Sequence, residues 1–129
     1  MNQTKYDQGM AVRREVLGDA YVDKAVAAAS EFMQPMQELV TENCWGHIWT
    51  RPGLPRKTRS MITLATLAAL RASGELKLHV LGALRNGCTP EEIQEVLLQA
   101  AVYCGVPAGI EAFRAAREVV DAWKQGQTG

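Results

Sequence analysis

Apolar residues recur at helical spacing along most of this chain, and no segment alternates apolar and polar residues for long enough to predict a strand. Short sites rich in glycine, proline and asparagine interrupt the helical pattern. A length of 129 residues, 47% of them apolar, suffices for one domain with a buried core. We therefore predict a single all-α domain over residues 1–129, with about six helices, short connections and a mobile tail from 125 to 129.

The interruptions set the predicted helix boundaries. Thr89-Pro90-Glu91-Glu92 is the strongest start, because it combines a hydroxyl cap, proline at the first helical position and glutamate three residues after the cap. Ser30 is a candidate cap for the second helix. The predicted helices cover residues 5–28 (interrupted at 18–19), 31–45 (with Pro35 in the first turn), 55–70, 75–86, 89–104 and 108–123, and residues 46–55 are predicted to be irregular.

Charge and cysteine usage exclude several classes of protein. Fourteen basic and fourteen acidic side chains cancel, so nothing favours nucleic acid or an anionic membrane as a partner. No run approaches the ~18 apolar residues of a membrane span, and the polar start lacks a signal-peptide core, so we expect a cytoplasmic protein.

Three cysteines (Cys44, Cys88 and Cys104) without a Cys-x-x-Cys pair argue against disulfides or zinc. The simplest interpretation is that all three are reduced and packed as small apolar side chains.

Glu75 and His79 are the first candidates for chemistry. They lie four residues apart in a predicted helix, which places both on one face with their Cβ atoms ~6 Å apart. A carboxylate beside an imidazole can accept, hold and donate a proton near neutral pH. The alternative is a structural His–Glu pair without a chemical role.

The predicted irregular segment contains the second group of candidates. It includes His47, Trp49 and Arg51, and Trp45 directly precedes it. Two tryptophans are unusual in a solvated connection, so we expect the segment to pack over a neighbouring subunit or a site. The planar guanidinium of Arg51 suits a carboxylate, although a solvated loop histidine is common.

Two further clusters have weaker signals. Arg56, Lys57 and Arg59 begin the next predicted helix, where cations oppose the helix dipole; this hints at an anionic ligand, but solvated charges are the commoner explanation. Tyr103 and Cys104 precede the break at 105–107, where core packing and a tight turn are the alternative to a site.

Read together, the motifs resemble the carboxymuconolactone decarboxylase family. The resemblance runs from about residue 45 to 119 and includes Trp-Gly-His-Ile-Trp-Thr-Arg-Pro-Gly-Leu, Lys-Thr-Arg-Ser-Met-Ile-Thr-Leu and Glu-Leu-Lys-Leu-His-Val-Leu-Gly-Ala-Leu-Arg-Asn-Gly. It implies the alkyl hydroperoxidase D-like helical fold. It also implies cofactor-free decarboxylation of 4-carboxymuconolactone, a lactone dicarboxylate, to 3-oxoadipate enol-lactone and carbon dioxide in protocatechuate catabolism.

The resemblance also implies roles for the candidates. His79 would deliver the proton or stabilise the oxyanion, and Glu75 would orient it and favour its charged form; the alternative is that His79 binds a carboxylate. The remaining candidates would bind the distal carboxylate, line the pocket or exclude water: Arg51, His47, Arg59, Trp45, Trp49, Leu54, Tyr103 and Cys104. No metal or cofactor is implied, and the expected assembly is a homo-oligomer, a hexamer built as a trimer of dimers.

Two alternatives stay open at this point. Redox members of the same superfamily carry Cys-x-x-Cys-x-x-x-His, and the two cysteine positions are Ala72 and Glu75 here, so thiol peroxidase chemistry is disfavoured. The second alternative is a non-catalytic helical assembly protein in which Glu75 and His79 are structural.

Overall fold

A computed structural model describes residues 1–126, and among them every regular element is helical. The all-α prediction is confirmed, with seven α-helices and one π-helix. The chain divides into two compact units, Met1–Pro55 and Arg56–Gly129. The part of the predicted tail from 127 to 129 lies outside the described residues; Gln125 and Gly126 form a turn after the last helix.

The first unit contains four helical elements: α1 (Gln3–Leu17), α2 (Asp19–Ala28), α3 (Gln34–Leu39) and a π-helix (Val40–Ile48). Asn2 caps α1 by accepting a hydrogen bond from the Lys5 backbone N–H at 3.0 Å. The guanidinium of Arg13, which is buried, donates to Gln37 Oε1 at 2.9 Å and to Thr41 Oγ1 at 3.4 Å. These bonds fix α1 against α3 and the π-helix.

Two glycines allow α1 and the π-helix to touch through their backbones. A Cβ atom on Gly9 would overlap the carbonyl oxygen of Thr41, and one on Gly46 would overlap the carbonyl oxygen of Lys5. Only glycine fits such a contact, because any larger residue would force the two helices apart.

The second unit is a four-helix bundle of α4 (Arg56–Ala69), α5 (Ser73–Arg85), α6 (Pro90–Cys104) and α7 (Val106–Lys124). The predicted capping box at the start of α6 is present: Thr89 Oγ1 accepts from Glu92 N at 3.1 Å, and Glu92 Oε1 accepts from Thr89 N at 2.9 Å. Gly105 separates α6 from α7 with a φ of 107°, a conformation that favours glycine.

The core of this bundle consists of small and medium apolar side chains, led by Leu64, Leu76, Val80, Ile93 and Leu97. Cys88 belongs to it, and its Sγ donates to the Lys57 carbonyl at 3.7 Å. Cys44 and Cys104 are exposed, so the expectation that all three cysteines pack as small apolar side chains is correct only for Cys88.

Three predicted boundaries are wrong. The predicted helix over 31–45 is a turn, the short α3 and then a π-helix, and the Ser30 carbonyl rather than its hydroxyl accepts from Met33 N and Gln34 N. The π-helix continues to Ile48, so Gly46 and His47 are helical rather than irregular. The last helix begins at Val106, because only Gly105 breaks the chain there.

Candidate active site

Helix α5 holds the Glu75–His79 pair in the second unit. The helix starts at Ser73, so Glu75 lies in its first turn and His79 one turn later on the same face. His79 is half-buried, whereas Glu75 is exposed. Of the two side chains, only the imidazole is therefore partly shielded from solvent.

Burial lowers the pKa of His79 from 6.5 to about 4, because the charged imidazolium loses its hydration. The imidazole is accordingly neutral at pH 7. This corrects the expectation that Glu75 favours the charged form of His79, because the effect of burial on the imidazole prevails. A neutral imidazole has a single N–H, so it can donate one hydrogen bond.

The register between α4 and α5 is fixed by a side-chain hydrogen bond that the sequence did not reveal. Asn86 Nδ2, at the end of α5, donates to the buried Ser60 Oγ at 2.9 Å. The partners lie 26 residues apart, and no local pattern marks such a pair.

Because the two helices are antiparallel neighbours, this bond places the neighbouring Arg59 near the end of α5, about 10 Å along the axis from His79. Arg59 is half-buried.

Another cation of the basic cluster, Lys57, lies in an ion pair. Lys57 Nζ lies 2.9 Å from Glu92 Oε2, so the charge of Lys57 is balanced within the protein. This ion pair raises the pKa of Lys57 and lowers that of Glu92. Arg56 is half-buried in the same turn. A role of this cluster in binding an anion stays a prediction.

The first unit brings the two tryptophans together. The rings of Trp45 and Trp49 have centroids 4.9 Å apart and an interplanar angle of 35°, and both side chains are buried. Trp45 lies on the π-helix and Trp49 directly follows it, with its backbone N–H donating to the Cys44 carbonyl in π-helical register. His47 is exposed on the π-helix, and Arg51 and Leu54 are exposed in the turn after it. π-Helices are rare and often occur at functional sites.

Tyr103 and Cys104 lie on the surface at the end of α6, and the Tyr103 side chain is 83% exposed. Their role in a site stays a prediction. A cavity of about 590 Å³ lies between α6 and α7, but none of the predicted site residues lines it. Most of its lining residues are apolar, and none is a histidine or a cysteine.

Residues 1–126 contain no group of three His, Cys, Asp or Glu side chains arranged to hold a metal ion. None of the described helices is both long and apolar enough to cross a membrane. Burial raises the pKa of the Cys88 thiol, which disfavours the thiolate that peroxidase chemistry needs.

Comparisons with known proteins agree with the motifs. A sequence model of the Carboxymuconolactone decarboxylase family matches residues 34–118, about two thirds of the chain. The chain is 46% identical over 121 residues to a nitrosuccinic acid decarboxylase of Metarhizium robertsii, with 94% of this chain and 85% of the relative covered. It is 40% identical over 118 residues to a 4-carboxymuconolactone decarboxylase of Acinetobacter baylyi, with 92% and 88% covered.

The matched segment includes the π-helix with its tryptophans, the helix with Glu75 and His79, and most of α7. Both relatives are covered over most of their own length, so the similarity is not confined to one motif. The chain belongs to the carboxymuconolactone decarboxylase family.

Proposed function

We propose that this protein decarboxylates a small dicarboxylate that contains its own electron sink, and that the substrate is 4-carboxymuconolactone. The observation that supports this most directly is the 40% identity to the Acinetobacter baylyi 4-carboxymuconolactone decarboxylase across most of both chains. The half-buried, neutral His79 on α5 supports it chemically. The reaction would belong to aromatic-acid catabolism.

The chemistry places few demands on the protein. The bond between the ring carbon and its carboxylate breaks, and carbon dioxide leaves. The electron pair moves through the conjugated double bond to the lactone carbonyl, which becomes an oxyanion. Protonation at the carbon next to that carbonyl gives 3-oxoadipate enol-lactone. The protein has to bind two carboxylates, stabilise the oxyanion and admit one proton.

His79 is suited to stabilising the oxyanion. As a neutral imidazole it can donate its single N–H to the oxygen on which charge develops, and its half-buried position strengthens that bond. While this N–H is donated to the substrate oxyanion, it cannot also be donated to Glu75. Glu75 can then orient His79 only when the imidazole is protonated and has a second N–H. The proton that reaches carbon comes from solvent in this mechanism.

Arginines are the candidates for carboxylate binding. Arg59 lies about 10 Å along the bundle from His79 in the second unit, a separation that a small dicarboxylate and an extended arginine side chain can bridge. Arg51, together with His47, is the candidate in the first unit. A planar guanidinium can bind a carboxylate through two parallel hydrogen bonds.

A second candidate substrate is nitrosuccinate, favoured by the 46% identity to the Metarhizium robertsii nitrosuccinic acid decarboxylase. Loss of the carboxylate from the nitro-bearing carbon sends the electron pair into the nitro group, forming a nitronate. Protonation at that carbon gives 3-nitropropanoate. Both substrates have two carboxylates and an oxygen that accepts the released electron pair, so one site could serve either reaction.

A direct comparison of the two substrates tests the proposal. The purified protein is incubated with each compound, and carbon dioxide release gives kcat/KM for both. We expect turnover of 4-carboxymuconolactone with a kcat/KM at least tenfold above that of nitrosuccinate, because pocket contacts typically discriminate related substrates by that factor or more. The reverse order would establish the nitrosuccinate reaction instead. Turnover of neither compound would contradict the proposed function.

Substitutions of His79 test its role in the same assay. We expect His79→Ala to lose ~10²-fold or more in kcat, the usual cost of removing an oxyanion donor. His79→Gln retains an N–H donor that cannot titrate, so it should keep more activity than His79→Ala. Lys77→Gln, on the same helix but ion-paired to Glu118, is the matched control and should stay close to wild type. Equal losses in both His79 variants would instead favour proton transfer by His79.

A further inference from the structure

Arg13 is a buried cation of the first unit without a carboxylate partner among the described residues. It lies on α1, and only 5% of the residue is exposed. The next residue, Arg14, pairs with Asp19 at 3.1 Å and with Asp23 at 2.8 Å. No acid of residues 1–126 forms such a pair with Arg13. A buried charge that no opposite charge balances is costly, so the guanidinium is suited to a negative ligand.

The hydrogen bonds of Arg13 occupy one side of the guanidinium and leave the other side free. Both bonds are donated by Nη1, to Gln37 Oε1 at 2.9 Å and to Thr41 Oγ1 at 3.4 Å. The Nε atom is buried and has no hydrogen-bond partner among residues 1–126. Nε–H and one N–H of Nη2 point the same way, and together they form an edge that can bind a carboxylate through two parallel hydrogen bonds. We name this pair of donors the Arg13 edge.

The thiol of Cys44 is close to Arg13 but does not balance its charge. Burial among neighbouring groups raises the pKa of this thiol, and the charge of Arg13 and a hydrogen bond from Trp49 offset only part of the rise. Cys44 is therefore a neutral thiol at pH 7. Its contacts place the Arg13 guanidinium beside the stacked, buried rings of Trp45 and Trp49.

The acids on the elements that pack against Arg13 have other surroundings. Glu42, on the π-helix, accepts a hydrogen bond from the backbone N–H of Asn2 at 2.9 Å. Glu38, on α3, forms no ion pair within the part of the chain that the structure describes. A water molecule would satisfy Nε but would leave the charge of Arg13 unbalanced. A carboxylate supplies both an acceptor for each donor of the Arg13 edge and the opposite charge.

We propose that the Arg13 edge binds the carboxylate that the substrate keeps after decarboxylation. The identity of this ligand rests on the proposed function, whereas the edge rests on the burial and the hydrogen bonds of Arg13. Gln37 and Thr41 hold the guanidinium through Nη1, so the edge is oriented before the ligand arrives. The exposed Cys44 gives a small ligand its approach from solvent. The two tryptophans keep the surroundings apolar, which strengthens a bond between opposite charges.

Nuclear magnetic resonance observes the Arg13 edge in the wild-type protein. The probe is succinate, a dicarboxylate without an electron sink, so it can bind but cannot lose carbon dioxide by the proposed route. The ¹H–¹⁵N signal of Arg13 Nε is assigned through the bonded carbons of its side chain. We expect added succinate to move this signal downfield and to slow its exchange with water, because the donor gains an acceptor. An Nε signal that succinate leaves unchanged would overturn the proposal.

Calorimetric titration with succinate measures the contribution of the edge to affinity. Arg13→Lys keeps the charge but cannot form two parallel hydrogen bonds, so we expect the Kd for succinate to rise ~10-fold or more. Arg14→Lys is the matched control, because it makes the same change at the next residue, whose charge Asp19 and Asp23 already balance. Its Kd should stay within about twofold of the wild-type value. An equal Kd in Arg13→Lys and wild type would show that the edge holds water only.

Kinetics separate this site from the proposed function. With the substrate that is decarboxylated, Arg13→Lys should raise KM ~10-fold and change kcat by less than about threefold, because a carboxylate that does not react is bound equally in the ground and transition states. A purely structural Arg13 would instead reduce kcat and leave KM unchanged, and that result would contradict the site. If wild type decarboxylates neither candidate substrate but succinate shifts the Nε signal, the proposed function fails while the carboxylate site stands.

Discussion

At the scale of single residues, the imidazole of His79 has the environment with the clearest chemical consequence. Burial stabilises its neutral form, and the pKa falls to about 4. A buried neutral imidazole is suited to donate a hydrogen bond to an oxyanion. Its burial also makes the free energy of unfolding depend on pH, because between pH 4 and 6.5 the unfolded chain binds a proton at His79 that the folded chain does not.

Stability should therefore rise with pH between about 4 and 6.5. The pKa of His79 is lower in the folded chain than in the unfolded chain, so the contribution of the neutral imidazole to stability is complete above pH 6.5. This contribution is lost as the pH falls from 6.5 to the folded pKa of about 4. Between pH 7 and pH 5 we expect a loss of about 2 kcal/mol in the free energy of unfolding. Urea titrations at both pH values measure it, and His79→Gln should remove that part of the loss. An equal loss in His79→Gln would refute the assignment.

The state of His79 also predicts the pH dependence of catalysis. If the neutral form acts, kcat/KM stays flat from pH 7 down to about 5 and declines only as the pKa near 4 is approached. If the protonated form were required, kcat/KM would instead fall about tenfold per pH unit above that pKa. Initial rates at low substrate concentration across pH 5–8 distinguish the two outcomes.

Gly9 provides a packing test at the same scale. Gly9→Ala places a methyl group against the Thr41 backbone, so α1 and the π-helix must separate, and we expect a loss of about 3 kcal/mol or more in unfolding free energy. Gly53→Ala is the control, because nothing lies within 4 Å of its Cβ position and its stability should change by less than about 0.5 kcal/mol. Urea unfolding measures both. Similar effects of the two substitutions would disprove the close approach.

At the scale of elements, local signals determined the helices of the second unit well. The capping box at Thr89 and the breaks near Gly87 and Gly105 lie in the sequence itself, and α4, α5 and α6 follow the predicted boundaries within one or two residues. The π-helix could not be predicted in this way. It packs against α1 through a backbone contact between residues far apart in the chain, Gly9 and Thr41, and no local pattern marks such a contact.

The start of α6 offers the corresponding test. Thr89→Ala removes the side-chain acceptor for the Glu92 N–H, and we expect a loss of about 1 kcal/mol in the free energy of unfolding. Thr66→Ala is the control: this exposed threonine donates to the Ile62 carbonyl within α4, where alanine is at least as favourable. Urea unfolding compares the two variants. A loss with Thr66→Ala as large as with Thr89→Ala would show that the cap has no specific effect.

At the scale of the whole molecule, self-association of this protein, which the family resemblance implies, would couple folding to association. The midpoint of thermal unfolding should then rise with protein concentration, because association stabilises only the folded chain. Calorimetry over a hundredfold concentration range measures it, and a wild-type midpoint independent of concentration would contradict self-association.

The sequence by itself determined the helical class, the helix boundaries of the second unit to within about two residues, and the placement of Glu75 and His79 one turn apart, because spacing, caps and breaks are local properties. The family also follows from local motifs. Only the tertiary structure decided that His79 is half-buried and neutral while Glu75 is exposed, that Lys57 is paired with Glu92, and that Asn86 fixes α4 against α5. These properties depend on packing between residues far apart in the chain, and burial, not sequence spacing, sets the charge of a titratable group.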